Sequence, residues 1–561
     1  SNTNDPRATL SPGLFDAGEA TMGMKHISLL KKPTAFQLGT DNADDPRVKE
    51  ILGGLGVSDP SFIPAAERLI FAQLAFANSD LAFQGNHLFL GNFYGVNIYD
   101  ISNPMQAKLL TSMVCPGGQG DVSIVGDLLI MSVEQTRGRL DCGLEGISED
   151  VSADRFRGIR IFDISNLTRP VQVGAVQTCR GSHTHSVISG PGDDGKIIVY
   201  NSGTSAVREE DEMEGCIGEA PGDYRTALFR IDVIEIPVDD PSKSRIVDSP
   251  AVFADPEEGI LAGLWRGGTH GDDTQETYQT DQCHDITAFP ELGIAGGACS
   301  GNGILFNISD PLNPQRMDAV IDKGFAYWHS ATFNNDGTKV LFTDEWGGGS
   351  RPRCLAYDPI TWGADAIYTL TNGSLAPASF YKMPAAQTEQ ENCVAHNGSM
   401  IPVPGRDIMV QGWYQGGLAL VDFTDPAKPF EVGFFDRGPL AADRALLGGF
   451  WSAYWYNGYI IGSEIARGLD LLRLKPGPLL SKNEIEAAES VRLEQFNAQL
   501  QPKFVWPASF AVARSYLDQL VRNRGLRASR TARISADLAR AERLAGPDRQ
   551  AALAKLRGVQ L

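Results

Sequence analysis

Short segments of alternating apolar and polar residues recur through the middle of the chain. Each is opened by glycine and closed by Asp or Asn, Ser or Thr, and a proline turn. Four of them read alike: GVNIYDISNP from Gly95, GIRIFDISNLTRP from Gly158, GILFNISDPLNP from Gly303 and GLALVDFTDPAKP from Gly417. A period of two places successive side chains on opposite faces of a strand. A second short apolar strand follows each copy: AKLLTSMV, VQVGAV, QRMDAV and FEVGFF. Hairpins whose turns hold Gly with Asp or Asn come before them: FQGNHLFLGN, IVGDLLIMSV, GDDGKIIVYN, NNDGTKVLFTDE and YNGYIIGSE. Those dipeptides supply the positive φ that tight hairpins need.

The unit is four short strands recurring seven times, and such repetition predicts propeller blades. The expected fold class is all-β: a seven-bladed β-propeller of four-stranded blades with an N-terminal ring-closing strand and a C-terminal helical extension. Blades are expected to start near Asp80, Asp121, His185, His284, His329, His396 and Trp451. The Gly-[apolar]-Asp-[IV]-Ser-[DN]-Pro signature closely resembles the LVIVD-repeat family of bacterial surface and secreted proteins, over about residues 80–475. The resemblance implies a β-propeller and an extracytoplasmic location, and no particular activity.

The organisation divides at residues 1–75, 76–475 and 476–561. In the first part MKHISLLKKP, Met24–Pro33, reads as the outermost strand of the last blade, Trp451–Leu474, which has only three strands of its own. An open ring would expose two sheet edges. A helix is predicted near Asp45–Leu55. In the third part Ser481-Lys-Asn-Glu484 reads as a capping box, and Ile485, Ala488, Val491, Phe496 and Leu500 follow at roughly helical spacing. A second helix is predicted from Pro507 through Leu520. This tail carries 14 Lys and Arg against 8 Asp and Glu, in a chain of net charge −20. The expectation is a helical cap docked on the acidic propeller, or a surface for oligomerisation or a partner.

Composition narrows the function. With 42% hydrophobic residues the chain can bury a core, and a net charge of −20 argues against nucleic acid as a partner. No apolar run approaches the length of a transmembrane span. The eight cysteines are spaced singly, with no C-x-x-C. Pairing of sequence neighbours is expected: Cys115–Cys142, Cys179–Cys216, Cys283–Cys299 and Cys354–Cys393. Disulfides imply an oxidising compartment, so the protein is expected to be secreted or periplasmic, and a start at Ser1 without Met fits removal of a signal peptide.

Histidine placement carries the chemical signal. Among only eight histidines, His185, His284, His329 and His396 open the first strands of four consecutive repeats, where a propeller's strands line its channel. They are the expected ligands of a transition-metal ion (iron, copper or zinc), with His183 as a fifth. Antiparallel pairing returns the second strand to the same end, where Glu134, Glu345 and Glu464 are candidate catalytic acids or bases. The next register, Asp80, Asp121, Ser186, Asp285, Ser330, Asn397 and Ser452, is expected to hydrogen-bond neighbouring blades. The loop LWRGGTHGDDTQETYQTDQC, with His270, Asp272 and Asp273, is long enough for a lid. No nucleophile elbow, Walker loop or H-E-x-x-H helix is present. The layout is similar in architecture to two propeller families with His-held metals, the carotenoid cleavage oxygenases and the selenium-binding methanethiol oxidases, whose signature motifs it does not share. The expected function is therefore a metal-dependent, oxidative enzyme on a small molecule. The alternative is a non-catalytic surface or periplasmic scaffold for a protein partner.

Overall fold

The computed structural model describes residues 2–218, 223–255, 261–269 and 276–557. His270, Asp272 and Asp273 lie outside them. The chain is mostly β, built from short antiparallel strands in a propeller-like succession of sheets with a few helices at either end.

Among the described residues, four sheets have four strands each, running through consecutive stretches of chain. The first strands of successive sheets are Asn78–Gln84, Val122–Val125, His185–Ser189, Asp285–Phe289, Trp328–Phe333, Asn397–Ile401 and Phe450–Tyr456. They begin near the positions where the repeats begin, and the glycines that open several of the later strands sit in a conformation other residues avoid. At Gly95, Gly158 and Gly468 φ lies near +145°, and a Cβ there would fall about 2 Å from a carbonyl oxygen of the next strand. The last two strand sets merge into one nine-stranded sheet through a parallel pairing of Asn397 with Ser452 and Gly398 with Ala453. Apolar side chains fill the spaces between neighbouring sheets; Ile130, Ile161, Val199 and Ile234 make one such layer.

The N-terminal segment supplies outer strands to two places. Met24–Lys31 pairs antiparallel with Gly468–Leu474, as the three-stranded last repeat required. Glu19–Met22, just before it, pairs with Arg437–Phe434 of the preceding repeat, a pairing the sequence did not announce. The helix expected near Asp45–Leu55 spans Pro46–Gly54, with the Asp45 carboxylate accepting from the Arg47 N–H.

The C-terminal segment departs from an all-helical cap. Ser481 and Glu484 form the capping box of helix Lys482–Glu489, and further helices span Phe510–Arg522, Ala528–Arg543 and Gly546–Arg557. Between them the chain is extended. Gln495–Asn497 pairs with the free edge of Asn78–Gln84. Beyond it Asn497 bonds the Ile124 backbone, Gln499 O accepts from Ala288 N, and the Gln501 amide bonds Phe333 N and O. Phe496 and Leu500 fall at helical spacing from Ile485, yet here they belong to an extended run. The exposed edges of the first strands need partners, and this polar segment supplies them.

All eight cysteines are paired, in the four neighbour pairings expected.

Candidate metal centre

Four histidines meet at one end of the first strands. His284 and His396 immediately precede strands Asp285–Phe289 and Asn397–Ile401, His329 is the second residue of Trp328–Phe333, and His183 lies two positions ahead of His185–Ser189. Their rings form a chain: centroids are 4.1 Å apart for His183–His284, 3.8 Å for His284–His329 and 4.1 Å for His329–His396. All four are buried.

Each ring is held through Nδ1. His183 Nδ1 lies 2.7 Å from Glu134 Oε2, His284 Nδ1 3.0 Å from Asp285 Oδ1, and His329 Nδ1 3.4 Å from the Thr343 hydroxyl. His396 Nδ1 donates to the Trp451 carbonyl. A donor role for Nδ1 leaves Nε2 with a bare lone pair. The four Nε2 atoms point inward: those of His183 and His284 are 2.5 Å apart, and those of His329 and His396 have no hydrogen-bond partner. Glu345 faces the same space, 3.8 Å from His329 Nε2 and 3.6 Å from His396 Nε2. Ligand atoms of His284, His329 and Glu345 lie within 4.8 Å of one another. The unpartnered Nε2 atoms of His329 and His396, with the Glu345 carboxylate beside both, make a site shaped for a cation.

Electrostatics agree. Burial holds His284 and His329 well below the usual imidazole range and His396 at about 3, so these rings are neutral, as ligands must be. His183 runs the other way: burial opposes its charge, but Glu134 outweighs it and the net shift is upward. Burial likewise resists the Glu134 carboxylate, and His183 overcomes it, drawing Glu134 down to about 2. Burial pushes Glu345 up to about 7, against the hydrogen bond it accepts from Tyr414 at 2.5 Å.

Tyr414 is a further site residue, at the end of a second strand like Glu134 and Glu345. It sits after strand Ile408–Gly412 at φ +52°, unusual for a non-glycine residue, and its ring centroid is 4.6 Å from that of His396. Only the absence of side chains beside it permits this. A Cβ on Gly449 would lie 1.9 Å from the Tyr414 carbonyl carbon, and one on Gly349 2.2 Å from its hydroxyl oxygen. Trp451 closes the same side, 5.2 Å from His396 by ring centroids.

The remaining candidates lie elsewhere. His185 is set apart from the ring chain, its Nδ1 2.8 Å from Ser132 Oγ and 3.5 Å from Asp121 Oδ2. Thr184 and Ser186 bond the backbone of the following sheet at His284 and Ile286, while the His185 ring is held against Ser132 and Asp121 of the preceding one. Glu464 accepts from Gly449 N at 2.7 Å and pairs with Arg467 at 3.2 Å. The polar register one step on does bond between sheets: Asn397 donates to Asp80 at 3.1 Å and Tyr454 to Asp80 at 2.6 Å.

Residues 153–178, which hold the Gly158 strand and its proline turn, match the family model described as LVIVD repeat. The chain carries an LVIVD repeat. No curated protein matches it in sequence. Among solved structures, this LVIVD-repeat chain is similar to a putative 6-phosphogluconolactonase from Bacteroides fragilis NCTC 9343, at 11% identity and a TM-score of 0.40 over 69% of this chain and 87% of that one. The computationally designed Ika8 protein matches at 10% identity and TM-score 0.36, over 71% of this chain and 96% of that one. A functionally unknown protein from Desulfotomaculum acetoxidans DSM 771 matches at 10% and 0.35, over 63% and 85%. Likeness at this level carries no argument about chemistry.

Proposed function

We propose that this LVIVD-repeat chain is a seven-bladed propeller, secreted or periplasmic, whose channel mouth holds a transition-metal ion and acts on a small molecule. Residues 76–475 make the ring, 1–75 close it and 476–561 cap it. The observation that carries the reading is the set of inward Nε2 atoms, with the rings held at Nδ1 by Glu134, Asp285, the Thr343 hydroxyl and the Trp451 carbonyl, and Glu345 among them. His284, His329 and Glu345 would hold the ion, with His396 and His183 alongside. Iron, copper and zinc all suit such nitrogen-rich ligation. When bound, iron or copper would supply one-electron chemistry and zinc Lewis acidity. Four disulfides favour an oxidising compartment, and no helix among the described residues is long and apolar enough to cross a membrane.

Elemental analysis of protein produced in an oxidising compartment tests this. One equivalent of metal is expected in the wild type and none in the His284→Ala/His329→Ala double variant, with the β circular-dichroism spectrum unchanged. Full occupancy in the double variant, or none in the wild type, would refute it and leave the scaffold reading.

A further inference from the structure

The N-terminal segment, besides adding strands, roofs a cavity of about 860 Å³, within the range of sites for small organic ligands. Leu14, Phe36, Leu38, Ile70, Leu74 and Leu447 supply apolar walls. Leu14, Phe15 and Phe71 leave 45, 47 and 44% of their surface exposed around the opening, a concentration of apolar surface that water covers poorly. Three lining residues, Ala77, Leu447 and Ile465, belong to the apolar cluster that contains Trp451 and Tyr414. Those two aromatic rings pack against His396, so the cavity wall and the histidines share one apolar cluster.

The charges in the cavity are unequal. Arg444 is paired with Glu67 at 3.3 Å, and Arg467 is committed to Glu464 and to backbone carbonyls. Lys32 is different. Its ammonium donates to the Phe76 carbonyl at 2.5 Å, and among the described residues no carboxylate forms an ion pair with it. Lys31 lies over the Phe15 ring, 3.9 Å from its centroid, on the same rim. Burial draws Lys32 down to about 8, against the opposing charge of Glu464. A largely apolar cavity of this volume, with a buried lysine ammonium on its wall, is complementary to an amphiphile with an anionic head.

We propose that this cavity binds a long-chain aliphatic monocarboxylate, with its carboxylate on Lys32 and its chain along the wall shared with Trp451. That the metal centre acts on this ligand rests on the function proposed above; the binding itself does not.

Fluorescence titration of the full-length protein with cis-parinarate, alongside its uncharged methyl ester, tests the binding. One saturable site for parinarate is expected. Lys32→Met weakens parinarate about tenfold or more, the worth of a charge-assisted hydrogen bond, and leaves the ester unchanged. Ile70→Trp, which projects an indole into the cavity, weakens both. Metal-stripped protein and the His284→Ala/His329→Ala variant bind parinarate like the wild type, so loss of the metal reading would leave this result standing. Absence of a saturable site, equal parinarate affinity in Lys32→Met, or undiminished binding in Ile70→Trp would overturn the proposal.

Discussion

The N-terminal arm should come loose as pH rises, and His26 is the reason. This side chain on strand Met24–Lys31 has Nε2 2.8 Å from Asp470 and Nδ1 3.1 Å from Glu19, so both ring nitrogens face carboxylates. Arg437 pairs with the same two acids, and the Phe435 ring packs on the imidazole at 4.9 Å. Burial works against the imidazolium, but Asp470 and Glu19 prevail and lift the group from 6.5 to about 9. A folded pKa above the unfolded one means stabilisation that is complete below about pH 6.5 and disappears as pH passes about 9. Each unit corresponds to about 1.4 kcal/mol, giving roughly 3 kcal/mol before screening. His26 and Glu19 are partly open to solvent, at 19% and 39%, which reduces the figure to about 1–2 kcal/mol. Hydrogen exchange of the Met24–Lys31 amides reads the opening free energy of the arm directly. After correction for intrinsic rates, protection should fall about five- to thirtyfold between about pH 6 and 10, since a tenfold change corresponds to about 1.4 kcal/mol. In His26→Gln it should be lower at about pH 6 and nearly level across the range, because no imidazolium is there to be lost. Parallel profiles for wild type and variant would refute the argument.

Other consequences are equally direct. Glu134→Gln removes the carboxylate that orients His183, and metal affinity measured by chelator competition should fall about 10- to 100-fold, the usual effect of such partners. Gly449→Ala puts a Cβ into the Tyr414 backbone and should abolish stoichiometric metal in elemental analysis. Gln501→Ala leaves the Phe333 N–H and carbonyl of a buried strand without the side-chain partner that bonds both; the denaturation midpoint should correspond to a loss of about 2–3 kcal/mol.

Much of this was legible because glycine and turn dipeptides mark strand ends chemically. Gly95, Gly158 and Gly417 announced strands that begin at those residues or one further on. The histidine cluster was legible because repeats share a register, and four rare side chains near one register point to one place in space. What escaped notice was decided over long range. Glu19–Met22 shows no alternation in burial, and only the unpaired edge at Phe434–Arg437 makes it a strand. Phe496 and Leu500 fall at helical spacing, yet the side chains around them answer backbone groups of strands 168 to 373 positions earlier, Gln501 at Phe333 and Asn497 at Ile124. His183 and His185 are indistinguishable by type, and only the facing sheets separate them. The left-handed backbone of Tyr414 has no sequence mark at all, since the glycine that permits it is Gly449.

The placement of the arm also orders events in time. Glu19 and Arg437 are 418 positions apart, so the first strands to be synthesised must wait, unpaired, for some of the last. Closing so long a loop adds little free energy beyond a shorter one, but it makes the step slow. The disulfides are the opposite case, joining cysteines only 16 to 39 positions apart. The middle of the chain can therefore be covalently locked while both ends still hang free. A chain cut short before Gly468 would keep its crosslinks and its sheets and yet offer Met24–Lys31 no edge to close, an assembled but unfinished molecule with a sticky strand to present to its neighbours.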